Sequence, residues 1–116
     1  MTLDEVSKLI ETLPGVTHRR QDGAVDFQVE KTIFASITID RLVVLKLSLE
    51  QQDMVMSSDP EGYAPVKGAW GERGWTEMNF ALLDEPAAYS GIMIAWTNVT
   101  PKRERALASP SDIWRL

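Results

Sequence analysis

Cysteine is absent from this 116-residue chain, and histidine occurs once, at His18. The first absence excludes a disulfide framework, a thiolate metal site and a thiol nucleophile. It also fits a reducing cytoplasm. The second excludes a multi-histidine metal site and makes any Ser-His-Asp triad depend wholly on His18. The chain has no Gly-x-Ser-x-Gly elbow and no Gly-x-x-x-x-Gly-Lys run to cradle a phosphate. No apolar run reaches the roughly 18 to 20 residues of a membrane span. The start, Met1-Thr2-Leu3-Asp4-Glu5, lacks a basic region followed by an apolar stretch, so no signal peptide is expected. A basic excess is missing too: 12 Lys and Arg stand against 17 Asp and Glu, a formal net charge of -5. That balance repels polyanions over most of the surface, so nucleic-acid binding would need a local basic patch.

What is present is enough apolar material for one core. The hydrophobic share is 44%, and the length suits a single ordinary domain. Leu3, Val6, Leu9, Ile10 and Leu13 recur at helical spacing, Thr2 and Glu5 form a capping-box pair, and Pro14-Gly15 ends the helix. A loop is expected through His18-Arg19-Arg20-Gln21-Asp22-Gly23. Val25, Phe27 and Val29 then alternate with polar residues as a strand, and Ile33 to Ile39 alternates as a second, with Glu30-Lys31 as the tight turn between them. Leu42 to Leu47 is apolar on nearly both faces and reads as a central strand. Ser48 and Gln51 begin a second helix running to about Ser57, of weak apolar periodicity, and Asp59-Pro60-Glu61-Gly62 breaks it. Thr76, Met78, Phe80 and Leu82 alternate as a fourth strand. Asp84 caps a third helix with Pro86 in its first turn and an apolar stripe of Tyr89, Ile92, Met93, Trp96 and Val99. The expected fold is α+β, an antiparallel sheet of about four to five strands packed with about three helices in the order α-β-β-β-α-β-α. Residues 1–105 form the domain and 106–116 a C-terminal tail.

The most unusual segment is Pro65-Val66-Lys67-Gly68-Ala69-Trp70-Gly71-Glu72-Arg73-Gly74-Trp75-Thr76. Two readings are open for it. Trp70 and Trp75 stack on bases or clasp a partner while Lys67 and Arg73 meet phosphates. Alternatively, both tryptophans fill the junction of sheet and helix, and Arg73 ties the loop to Glu72 or Glu77. Trp75 heads a strand whose opposite face carries the apolar set, which favours its exposure. A second basic cluster, Lys102, Arg103 and Arg105, follows the third helix, where one cation would complement the helix C-terminus and three leave a surplus. Arg19 and Arg20 beside His18 make a third small patch. Lys46 sits inside an apolar strand and should either emerge at a sheet edge or meet a carboxylate. The acidic pairs Asp4-Glu5 and Asp84-Glu85 lie where helix starts favour carboxylates.

Several pieces, in order along nearly the whole chain, resemble the MmcQ/YjbR family of small bacterial proteins: Leu13-Pro14-Gly15-Val16-Thr17, Leu45-Lys46-Leu47-Ser48 with Glu50-Gln51, Asp59-Pro60-Glu61, Gly71-Glu72-Arg73-Gly74-Trp75-Thr76, and Ala95-Trp96 through Pro101-Lys102-Arg103. The resemblance implies a fold like the secretion-chaperone and frataxin-like α+β sandwiches, and DNA binding through a double-winged arrangement of loops. The resulting expectation is a non-enzymatic DNA-binding protein of the cytoplasm, without metal or cofactor. Lys67, Arg73, Lys102 and Arg103, with Arg19 and Arg20, would be its cationic contacts, and Trp70 and Trp75 its stacking residues. The alternative is a protein-interaction module that grips a polypeptide partner with the same loop, or with Ile113-Trp114 and Leu116 of the tail.

Overall fold

The computed structural model describes residues 1–101. Lys102, Arg103, Arg105 and the tail 106–116, on which some of these expectations fall, lie outside the described residues. Ten elements follow one another: α1 (Leu3–Glu11), β1 (Val16–Gln21), β2 (Ala24–Val29), β3 (Thr32–Ile37), β4 (Val43–Lys46), α2 (Leu49–Ser58), β5 (Tyr63–Pro65), α3 (Ala69–Glu72), β6 (Trp75–Met78) and α4 (Glu85–Val99). The six strands form one antiparallel sheet in the order β1-β2-β3-β4-β6-β5. The α+β class and the order of the main elements are as the sequence implies, with two strands and one short helix added.

Each addition has a local cause. Segment 16–21 lacks apolar alternation because β1 is an edge strand whose last five residues all face solvent. Its pairing runs from Val16 opposite Val29 to Gln21 opposite Ala24, and Asp22-Gly23 makes the turn. β5 is three residues long at the other edge and ends in Pro65, a residue tolerated where no ladder donor is needed. α3 is a single turn inside the Trp-Gly segment.

Helix starts follow the side chains that satisfy their free N–H groups. Thr2 accepts from the Glu5 backbone while the Glu5 side chain accepts from Thr2, and Ser48 and Gln51 repeat the arrangement at α2. The Asp84 side chain accepts from Ala87 N at α4, with Pro86 in the first turn. In the β2–β3 turn, Glu30 and Lys31 both take left-handed backbone angles, φ 47° and 73°, as a tight two-residue hairpin requires.

The core lies on one face of the sheet, beneath α1 and α4. β4 supplies Val43 and Leu45, β2 supplies Phe27 and Val29, and β6 supplies Met78, all essentially inaccessible. A bulge between β2 and β3 leaves Phe34 without a cross-strand partner, and both Phe34 and Ala35 are buried as a result. α4 buries Ala88, Gly91, Ile92, Ala95 and Trp96. The expected stripe is thus rotated: Tyr89, Met93 and Val99 are only half-buried, because the small Ala88, Gly91 and Ala95 let the helix lie close to the sheet. Trp96 reaches across to the turn between α1 and β1, its indole N–H donating to Pro14 O at 3.0 Å. The Tyr63 hydroxyl ties β5 to α4 by donating to Ala87 O at 2.7 Å.

Candidate functional site

Alternation along the strands sends a second set of residues to the other face, which α1 and α4 leave open. The register brings Arg19, Asp26, Ser36, Val44 and Glu77 into one row across β1, β2, β3, β4 and β6. The row changes character along its length. At the β1 end it is polar: Arg19 Nη2 lies 3.7 Å from Asp26 Oδ2, and the Ser36 hydroxyl donates to Asp26 Oδ1. Arg19 is therefore committed to a carboxylate. Toward β6 the row ends in Glu77, and beside it the same face turns apolar and aromatic, where Ser36, Thr38, Val44, Val66, Trp70 and Trp75 line an open cleft of about 270 Å³.

The Trp-Gly segment builds the wall of that cleft. Val66 N donates to Trp75 O at 2.9 Å and continues the pairing beyond β5. α3 then turns the chain back, and Trp70, 59% exposed, meets the half-buried Trp75 edge to face, with centroids 6.5 Å apart and planes at 78°. The Arg73 guanidinium carbon lies 5.8 Å from the Trp70 ring centroid, a cation–π contact. Neither of the two sequence readings holds whole. Trp70 does not fill a junction, and Arg73 reaches no carboxylate among the described residues. Trp75 is less exposed than its place in the strand suggested, because Trp70 shields it.

Buried backbone contacts hold the segment in shape. Gly74 has φ 100°, and a Cβ there would overlap the Leu47 carbonyl oxygen; one on Gly71 would overlap the Val66 carbonyl oxygen. Gln52 of α2, buried, directs its amide nitrogen to Gly71 O and Trp75 O, each at 3.2 Å, and to Thr76 Oγ1 at 3.0 Å. Lys46 closes the set. It lies neither at a sheet edge nor against a carboxylate: β4 is interior, and its Nζ donates to the Arg73 carbonyl. Lys46 also stands opposite Trp75 in the register, which places its ammonium beside the aromatic corner. The ammonium is satisfied by a backbone oxygen, an acceptor that sequence cannot display.

Of the sequence-derived candidates, the structure brings Trp70, Arg73 and Trp75 to one corner, with Arg73 exposed; Lys67, also exposed, lines a neighbouring concavity with Leu49, Gln52 and Glu72. Arg19 and Arg20 belong to β1, four strand spacings from β6, or roughly 19 Å at about 4.8 Å per strand. They do not join that corner. Gln52, Val44 and Ser36 escaped the sequence reading. Lys46, the single polar residue between Leu42 and Leu47, was the available signal for Val44, which shares its face of the strand. A larger concavity, about 890 Å³, runs along α1 and α4 past Leu9, Tyr89, Met93 and Ile94. Its one charged lining residue is Glu85, so it offers no convergent chemistry. Among the described residues no group of three or more His, Asp or Glu could hold a metal ion, and no helix is long and apolar enough to cross a membrane.

The molecule is thus a six-stranded antiparallel sheet with helices on one face and an aromatic-cationic corner on the other. This fold is similar to that in the crystal structure of Deinococcus radiodurans protein DR2400, a DUF419 domain, with a TM-score of 0.68 and 18% identity. The match covers 90% of this chain and 86% of that one. DUF419 is the YjbR/MmcQ-like family, so the likeness of fold agrees with the sequence resemblance. No family model matches the chain, and no curated protein matches it.

Proposed function

We propose that the protein is a non-enzymatic nucleic-acid-binding protein that engages its ligand at the Trp70–Arg73–Trp75 corner. The observation that carries this reading is the exposed Trp70 ring bearing the Arg73 guanidinium, with Lys67 exposed nearby and no carboxylate paired to either cation among the described residues. A flat aromatic surface gives bases a stacking platform, and uncommitted cations meet phosphates. Glu72 and Glu77 border the corner, so an anionic ligand is confined to the tryptophan side and its footprint is short. DNA is the probe of choice, in keeping with the family resemblance.

The test is anisotropy of labelled single-stranded and duplex DNA at low and near-physiological salt. Binding that weakens steeply with salt, and further on Lys67→Ala with Arg73→Ala, supports the proposal. Absence of binding at low salt by a correctly folded protein overturns it. A second reading, docking of a polypeptide, is favoured by the apolar lining of the cleft by Val44 and Val66 and by the net charge of -5. Aromatic burial of that kind would survive high salt.

A further inference from the structure

We infer that the cleft between Trp70 and β4 captures one unpaired base, so that the ligand is single-stranded rather than duplex nucleic acid; this rests on the nucleic-acid reading above. The cleft is an indentation in a sheet face, not a groove along it. Its floor is Val44 with Ser36 and Thr38, and its walls are Val66 and the two tryptophans. At 78° to each other, the indoles present one flat face and one edge, a shape that suits a single planar ring system. Its volume of about 270 Å³ has room for one base, and a base held in a duplex could enter only after unstacking and unpairing, a cost absent from a single strand.

Charge at the rim selects a base over an aliphatic side chain. Arg73 lies against Trp70 and Lys46 stands opposite Trp75, with Glu77 beside Val44, whereas Lys67 lines a neighbouring concavity with Leu49 and Gln52. A nucleotide whose base enters the cleft carries its phosphates at this rim. The Lys46 ammonium, already turned to the Arg73 carbonyl, and the close approaches at Gly71 and Gly74 keep the rim in place before any ligand arrives. Open sheet faces with aromatic platforms are a recurrent way to hold single strands.

The experiment compares three labelled probes at one salt concentration: a short single strand, the same strand in a duplex, and a strand of equal length whose sugars carry no bases. The single strand should bind about ten-fold or more tighter than either of the others, within the span expected for base stacking on one aromatic residue. Trp70→Ala, at an exposed position, should abolish the preference for the base-bearing single strand over the abasic strand. Lys67→Ala with Arg73→Ala should weaken both strands alike. Quenching of tryptophan emission by the single strand, and not by the abasic strand, reports the same event without any variant. Equal affinity for all three probes overturns base capture while leaving the nucleic-acid reading in place. Failure of the folded protein to bind any probe, or binding of an apolar peptide instead, overturns both.

Discussion

Along β4 the buried Val43 and Leu45 alternate with the half-buried Val44 and Lys46, and this four-residue strand therefore samples both faces of the sheet. On the covered face, neighbours across the strands are Ala35, Ile37, Thr76 and Met78, all closed under helices. On the open face they are Ser36, Glu77 and Trp75, in contact with a shaped corner and with solvent. The same backbone thus carries two surfaces under different constraints. One is fixed by packing density, where a missing methylene leaves a void. The other is fixed by hydrogen bonds to the backbone from Lys46 and Gln52, and its side chains are free to be chosen for a ligand.

The sharpest way to break this comparison is to make equivalent truncations on each face. Leu45→Ala should cost about 2–5 kcal/mol, the range for deleting a buried leucine, read as a lowered denaturation midpoint with an unchanged slope. The next largest effect is set by pH. Burial first, and the Asp59 charge second, push the Tyr63 phenol from 10.0 up to about 12. The folded state then holds this proton more tightly than the unfolded chain does. Its contribution is fully present below pH 10.0 and is lost as pH rises through about 12, by up to ~1.4 kcal/mol per pH unit. Tyr63→Phe should flatten that alkaline loss in a thermal melt series. Val44→Ala, on the open face of the same strand as Leu45, should cost under about 1 kcal/mol. Trp70→Ala should move stability by no more than about 0.5 kcal/mol, since the ring is 59% exposed. If Trp70→Ala proves as costly as Leu45→Ala, the corner belongs to the core and the contrast fails.

Legibility in the sequence followed the same division. Thr2 with Glu5, Ser48 with Gln51, and Asp84 announce three helix starts because caps are local. The strands β2 and β3 and the Glu30-Lys31 turn are visible because one face of each is buried and one is not. β1 is hidden because His18, Arg19, Arg20 and Gln21 are exposed whichever way they point, and edge position leaves no period to read. The weak period of α2 has a definite cause: the buried Gln52 occupies a place where an apolar residue would complete the pattern. At the site, the residue types Trp70, Arg73 and Trp75 are conspicuous, whereas their geometry depends on backbone acceptors at Gly71, Arg73 and Trp75 that carry no sequence signature.

Strand order has a further consequence for when the corner comes into being. β1, β2 and β3 each pair with the strand next in sequence, through short turns, so this meander closes by successive local steps. β6 must instead find β4 across the whole of α2, β5 and α3, and only then can Val66 meet Trp75 and Lys46 meet the Arg73 carbonyl. During synthesis from the N-terminus, the ribosome releases the meander well before it releases Trp75. The aromatic corner is accordingly among the last features to assemble, and a molecule able to hold a ligand there is one that has already completed its sheet.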